Sequence, residues 1–271
     1  STNLDTATIV WSLNGKSTRG IGKKNFSFIT AGAGVASNIN VTIFPLEGDV
    51  IEKEIVITPL DVDLIWNAQT YTHPFYEGKA AYGYGSVVNV TAFPQFSQGD
   101  MLSQSKNLVY KWSINGGFMR DSSGFGKTSF NVPAQRILLP IIIGVEGSSL
   151  DGTLRTKKEI TLEAVRPKML IYENTPLYGI LYQKAIGQNY ELLENERVIS
   201  AIPYFFSTVA RNSPTMEYVW QLNDRDLGLE NASDLTLSRA AGAGSSQISV
   251  RARNPFNSLQ NSSAEFNVTY K

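Results

Sequence analysis

The string WSLNG at residues 11–15 recurs as WSING at residues 112–116 and as WQLND at residues 220–224. The copies lie 101 and then 108 residues apart, about the length of one small β-sandwich. Apolar and polar residues alternate before each copy, which predicts a strand buried on one face. The Asn-Gly or Asn-Asp pair that follows predicts a tight hairpin turn. We therefore expect three strands, each with a core tryptophan: Trp11, Trp112 and Trp220.

Other predicted strands recur at matching offsets from each tryptophan. Two strands follow it in every copy, at residues 39–43 and 50–57, 141–145 and 158–162, and 248–250 and 266–270. Two more precede it in the second and third copies, at residues 63–67 and 87–93, and 169–173 and 198–202. Short strands separated by Gly, Asn and Ser are typical of immunoglobulin-like antiparallel sandwiches.

The predicted fold class is all-β, with three tandem immunoglobulin-like sandwiches at residues 1–60, 61–165 and 166–271. The first sandwich is incomplete, because only about six residues precede its tryptophan strand and its first two strands are missing. A sandwich without two strands exposes a sheet edge and an apolar groove. Two explanations stay open: the strands belong to upstream residues, or another chain donates a strand, as in pilus subunits.

Composition removes most kinds of catalytic chemistry. The 271 residues contain 24 Lys+Arg, 24 Asp+Glu, no Cys and a single His, His73. These numbers exclude disulfides, thiol nucleophiles, Cys- or multi-His zinc sites and mechanisms that need two histidines. The balanced charge gives no basic stripe for nucleic acid. The longest apolar run, residues 137–143, is far too short to span a bilayer. We expect no enzyme activity, no cofactor and no metal.

An aromatic segment at residues 71–84 is the candidate ligand-binding site. Exposed aromatic rings can stack on sugars, and the candidates are Tyr71, Phe75, Tyr76, Tyr82 and Tyr84. Residues 175–185 of the third copy repeat the Pro, Tyr and Lys-Ala elements of this segment. That recurrence favours a structural task, namely packing between domains. Both interpretations remain open from the sequence.

Isolated polar residues give weaker signals. Asp61 and Asp63 occupy alternate positions near a domain junction, so they could share a calcium ion. The matching junction, residues 166–168, has no carboxylate, which favours solvated edge positions instead. His73 has no second histidine to act with, and we expect a packed or surface residue. No feature selects a carboxylate pair for glycoside hydrolysis.

Three longer strings carry a family resemblance. They are STNLD (residues 1–5) leading to WSLNG, VDLIW (62–66) leading to PFYEGKA (74–80), and YENTPLYG (172–179). With them the chain resembles the tandem immunoglobulin-like or PKD-like modules of bacterial secreted surface proteins. It looks most like uncharacterised exported proteins of small-genome candidate-phylum bacteria. The resemblance implies export, a cell-surface setting and further upstream strands, and it supplies no catalytic motif.

The sequence thus predicts a non-enzymatic, extracellular structural or adhesive rod, part of or attached to a cell-surface filament. The expected partner is a second copy or a filament component that engages the open first domain. The alternative is a carbohydrate-binding surface module that uses residues 71–84, with a glycan as its partner. Neither version involves nucleic acid or a membrane span within these residues.

Overall fold

A computed structural model describes residues 3–96, 101–134, 139–239 and 241–271. Strands make up most of this chain, and helical structure in these ranges is confined to two short segments, α1 (Met101–Lys106) and a 3-10 turn (Arg120–Ser122). The all-β class predicted from the alternating patterns is therefore confirmed. Within the described ranges, no helix is long and apolar enough to cross a membrane.

The first copy forms one antiparallel sheet. Its strands are β1 (Thr8–Leu13), β2 (Lys16–Ile21), β3 (Ser37–Phe44) and β4 (Ile51–Pro59). They lie in the order β2-β1-β3-β4, and Trp11 on β1 faces Val41 on β3. Ile9 and Ile39 on the same face are almost fully buried. Residues 22–36, between β2 and β3, form no strand.

The second copy forms two sheets. Its strands are β5 (Asp61–Ala68), β6 (Val88–Gln95), β7 (Val109–Ile114), β8 (Gly117–Phe118), β9 (Gly124–Phe125), β10 (Ser129–Val132), β11 (Ile141–Ser148) and β12 (Leu154–Leu162). One sheet has the order β10-β6-β5, and the other has the order β12-β11-β7-β8 with β9 beside β7. Leu154 on β12 pairs in parallel with Thr58 on β4, which joins this second sheet to that of the first copy.

The third copy is a two-layer sandwich. Its strands are β13 (Lys168–Thr175), β14 (Gly179–Ala185), β15 (Asn189–Glu191), β16 (Glu196–Tyr204), β17 (Glu217–Leu222), β18 (Arg225–Asp226), β19 (Asp234–Ser238), β20 (Gly244–Asn254) and β21 (Asn257–Tyr270). The layers have the orders β14-β13-β16-β19 and β15-β21-β20-β17-β18. Both contribute to one core, in which Ile171 and Ile199 of the first layer join Trp220, Val250 and Phe266 of the second.

Contacts divide the chain into two compact units. The first contains Ser1–Ile65, Val90–Phe130 and Ile141–Thr161, and the second contains Trp66–Asn89, Asn131–Pro140 and Leu162–Lys271. The aromatic segment at residues 71–84 therefore groups with the third copy. A division into three domains at residues 60 and 165 stays a prediction.

The tryptophans of all three copies make the same hydrogen bond. Each indole Nε1–H donates to a backbone carbonyl beyond the hairpin, at 2.8 Å in every case: Trp11 to Lys23, Trp112 to Lys127 and Trp220 to Ala232. Trp112 and Trp220 are 0% and 1% exposed. Trp11 is only half-buried. The bond is thus common to the three copies, whereas full burial is not.

The turn asparagines also act alike. Asn14, Asn115 and Asn223 have φ values of 46°, 49° and 46°, in the left-handed region that asparagine tolerates well. Each Oδ1 accepts a hydrogen bond from the next strand, from the N–H of Asn38, Ile142 and Gln247 at 3.1, 2.8 and 2.9 Å. The asparagine N–H donates back to the carbonyl of that same residue. Each side chain therefore adds one rung to the ladder at the turn.

Candidate functional site

The aromatic segment lies along the third copy, within the second compact unit. Tyr71 N–H donates to the Phe206 carbonyl and Phe205 N–H donates to the Tyr71 carbonyl, both at 2.8 Å. Gly83 is needed for the close approach, because a Cβ there would lie 2.3 Å from the Phe205 carbonyl oxygen. Gln260, fully buried, donates from Nε2 to the Tyr84 carbonyl. Main-chain and side-chain bonds thus fix both ends of the segment.

The five candidate rings differ sharply in exposure. Tyr82 and Tyr84 are 1% and 7% exposed, so their faces are not available to a glycan. Tyr71 and Tyr76 are half-buried, and Phe75 is 76% exposed. The rings therefore do not form one open platform. Glycan binding through this segment stays a prediction, and it depends on Phe75.

His73 lies inside an aromatic cluster, which we call the His73 cluster. Its imidazole stacks on Tyr182, with the ring centroids 4.2 Å apart and the planes at 8°. Tyr76 and Tyr204 meet it edge to face at 5.9 and 5.7 Å. The imidazole Nδ1 accepts a hydrogen bond from Phe75 N–H at 3.1 Å. This bond requires an unprotonated Nδ1, so the observed geometry fits the neutral imidazole.

The surroundings of the His73 cluster favour the uncharged forms of its titratable side chains. The Tyr172 and Tyr204 hydroxyls share a hydrogen bond at 2.8 Å, and burial raises the pKa of Tyr204. Burial, with Tyr182 as a lesser cause, raises the pKa of Tyr71 to about 12. Burial lowers the pKa of His73. These shifts favour the neutral forms of Tyr204, Tyr71 and His73.

One ion pair stands beside these tyrosines. Arg211 donates from Nη1 and Nη2 to the two carboxylate oxygens of Asp234, at 2.7 and 3.1 Å. The same carboxylate accepts from the Ser200 hydroxyl, and Arg211 Nη1 also reaches Ser233 Oγ at 2.9 Å. The pair is thus held in a fixed, bidentate geometry with no net charge.

The candidate calcium ligands have other partners. Asp61 Oδ1 accepts from Val62 N–H at 2.9 Å, and Asp63 Oδ2 accepts from Gln95 Nε2 at 2.8 Å. In the part of the chain that the structure describes, no group of three His, Cys, Asp or Glu side chains is placed to hold a metal.

Sequence reasoning missed the partners that enclose His73. Tyr182 and Tyr204 lie on β14 and β16, more than 100 residues beyond His73. The only signal in the sequence was the recurrence of Pro, Tyr and Lys-Ala in residues 71–80 and 175–185. That recurrence indicated packing without specifying the partner strands.

Comparison with known proteins gives no family. No protein-family model matches the chain, and no curated protein sequence matches it. Solved structures that resemble it include fibronectin(III)-like modules of Clostridium thermocellum CbhA, at 10% identity and TM-score 0.27 over 76% of this chain and 94% of that one.

Two further solved structures cover nearly the whole chain. Bacteroides ovatus SGBP-B, in complex with a mixed-linkage heptasaccharide, has 12% identity and TM-score 0.27 over 98% of this chain and 60% of that one. The three N-terminal domains of the bacteriophage RB49 Hoc protein have 12% identity and TM-score 0.29 over 99% of this chain and 89% of that one. Likeness at this level carries no argument about function.

Because His73 is the only histidine, its titration can be measured without ambiguity. Its folded pKa lies below the ordinary value of 6.5, so the stability it contributes is complete above about pH 6.5 and is lost as the pH falls below it. Proton NMR should show one imidazole C2 proton titrating with a midpoint below 6.5. The thermal unfolding temperature should decrease when the pH is lowered from 7 to 5, and the His73→Phe variant should show a smaller decrease. A titration midpoint at or above 6.5, or an equal decrease in the unfolding temperature of the variant, would contradict this account.

Proposed function

We propose that this chain is a non-enzymatic, extracellular structural or adhesive protein whose tandem sandwiches form a rod. The observation that carries the proposal is what the three copies share. All have the indole–carbonyl bond, which ties the tryptophan strand to the segment beyond its hairpin, and the asparagine rung, which ties the turn to the next strand. Tandem modules that repeat their scaffold contacts are typical of extended structural proteins.

The side chains with unusual electrostatics support the same proposal. His73, the Tyr172–Tyr204 pair and the Arg211–Asp234 pair lie in the second unit, and each is occupied by contacts within the fold. His73 Nδ1 and the Asp234 oxygens already accept hydrogen bonds, so neither is poised to take a proton from a substrate. The extracellular setting rests on the resemblance to bacterial secreted surface modules.

A more specific form of this proposal is that the protein attaches to a cell-surface filament. A filament subunit needs a surface at which the next component binds. The sheet of the first copy offers one, because its tryptophan is half-buried where the other two are covered.

A carbohydrate-binding function is the second candidate, favoured by one ring. Phe75 is 76% exposed and lies beside Tyr182, with centroids 6.1 Å apart. An exposed ring of this kind can stack on a sugar. Retention on insoluble polysaccharide should be lost in Phe75→Ala and kept in Phe256→Ala, a control at a ring that is 84% exposed. Equal retention of both variants, or none by the wild type, would contradict this function.

Small-angle X-ray scattering tests the rod. A compact protein of this length has a radius of gyration of about 18–19 Å. We expect a clearly larger value, together with a distance distribution that has a long tail, because tandem sandwiches in a rod extend along one axis. A value near that of a compact protein would contradict the rod.

A further inference from the structure

The outer face of the tryptophan sheet in the second copy carries a trough. Residues of β12, β11, β7 and β8 line it, and its volume is about 240 Å³. Lys111 and Ser113 flank Trp112 along β7, so their side chains face away from the buried indole. The trough continues into a second hollow of about 490 Å³, with which it shares Lys111, Glu146 and Lys157. All of these residues belong to the first compact unit.

Two residues of the trough, Phe118 and Gly144, set it apart from the same place in the other copies. Both pair with Ser113, the residue that follows Trp112 in β7. The residues that pair with the matching position in the other copies are all polar: Ser17 and Asn40 in the first copy, and Asp226 and Ser249 in the third. The sheet thus forms with polar side chains at both places, so the fold itself requires neither the phenylalanine nor the glycine.

Gly144 forms the floor of the trough. Its φ lies outside the left-handed region that favours glycine, so the backbone does not demand this residue. A Cβ at Gly144 would lie 2.6 Å from Ser113 Oγ and 3.4 Å from Glu159 Cγ, which places it in the space between these two side chains. In the third copy a serine, Ser249, occupies the matching position and donates from Oγ to Gln221 Oε1 at 3.3 Å. A glycine inside a strand often marks a place where a ligand approaches closely.

Phe118 provides an aromatic ring at the side of the trough. The residue is 59% exposed and lines the cavity. A ring in this position can stack on the apolar face of a flat ligand. Phe125 on β9 belongs to the same sheet and is 56% exposed, but it is not part of the lining. The two phenylalanines therefore differ in their place on the sheet while their exposure is nearly equal.

The charges in the trough balance one another. Lys157 Nζ lies 3.2 Å from Glu146 Oε1 and 3.8 Å from Glu159 Oε1. Lys111 faces Glu146 across the paired strands, so the lining holds two ammonium groups and two carboxylates. Donors and acceptors alternate, and each hydroxyl group of a ligand can both donate and accept a hydrogen bond. The lining is thus suited to an uncharged molecule that carries many hydroxyls.

The backbone under the trough is already paired. β11 lies between β12 and β7, and β7 lies between β11 and β8, so neither strand has a free edge here. An extended peptide could not add to the sheet at this place, and recognition must come from side chains. An aromatic ring beside a neutral set of donors and acceptors favours a saccharide, which has apolar faces as well as hydroxyls.

We propose that this trough binds a neutral saccharide. Phe118 stacks on one sugar ring, while Ser113 and the row formed by Glu146, Lys157 and Glu159 bond the hydroxyls. The inference rests on the adhesive form of the proposed function, for which it supplies a ligand. The site is separate from Phe75, which belongs to the second compact unit.

Nuclear magnetic resonance titration of the whole isotope-labelled chain tests the site. The probes are three neutral oligosaccharides, cellohexaose, mannohexaose and xylohexaose, and an oligogalacturonate of equal length is the anionic comparison. We expect at least one neutral probe to shift the amide signals of Ser113, Phe118 and Gly144 in a saturable way. The oligogalacturonate should bind more weakly, because the balanced charges of the trough do not favour an anion.

Two substitutions and one control assign the binding to the trough. Phe118→Ala removes the stacking ring and should weaken binding about tenfold. Gly144→Ser installs the residue that the third copy has at this position, and by filling the floor it should weaken binding at least as much. Phe125→Ala, the control, should bind like the wild type. If Gly144→Ser does not fold, Phe118→Ala decides the matter, since its ring is exposed.

Four results would overturn the inference: no saturable shift with any neutral probe, tighter binding of the oligogalacturonate, equal weakening by Phe118→Ala and Phe125→Ala, or shifts confined to the surroundings of Phe75. The last result would assign glycan binding to the aromatic segment instead. A rod-like scattering profile without saccharide binding would reject this site alone. A compact profile with saccharide binding would reject the rod alone.

Discussion

The hydrogen bond from each tryptophan indole to a backbone carbonyl is the contact on which the repeated architecture depends. The indole belongs to a strand of one sheet, β7 or β17, and the acceptor precedes an edge strand of the opposite layer, β10 or β19. One side chain thus fixes both the depth of the core and the start of the facing strand. The buried ring contributes apolar area, and the bond satisfies the one polar atom that it brings inside.

The first copy shows that the indole hydrogen bond and the full burial of the tryptophan ring have different structural requirements. Its indole bond has the same 2.8 Å length, so the hairpin and the returning segment suffice to form it. Full burial of the ring needs a second layer, which residues 22–36 supply only through Phe26 and Phe28. An alternating sequence such as NFSFI at residues 25–29 becomes a strand only when a neighbour accepts its backbone hydrogen bonds.

Local sequence patterns predicted many of the strands correctly. The β-branched strand expected at residues 39–43 lies within β3, and the closing strand expected at residues 158–162 lies within β12. The parallel pairing of Thr58 with Leu154 was not readable, because it joins residues almost 100 positions apart and no periodicity encodes it. The two compact units likewise cut across the repeats, since the segment before β6 packs on the third copy.

The candidate site was readable only in part. The aromatic composition of residues 71–84 identified a segment of interest, but exposure there follows no period that a sequence shows. Tyr82 is buried and Phe75 is exposed although both are aromatic residues of the same segment, which is fixed at Tyr71 by backbone hydrogen bonds to Phe205 and Phe206. The environment of His73 depends on strands far along the sequence, so its pKa direction needed the structure.

Urea unfolding of three tryptophan-to-phenylalanine variants tests the central claim most directly. Trp112→Phe and Trp220→Phe remove the hydrogen bond and part of the apolar area of a fully buried ring, and we expect each to lower the free energy of unfolding by about 1–3 kcal/mol. Trp11→Phe should cost less, because the Trp11 ring is only half-buried and loses less apolar contact. Equal losses at all three positions, or no loss at Trp220, would contradict the account.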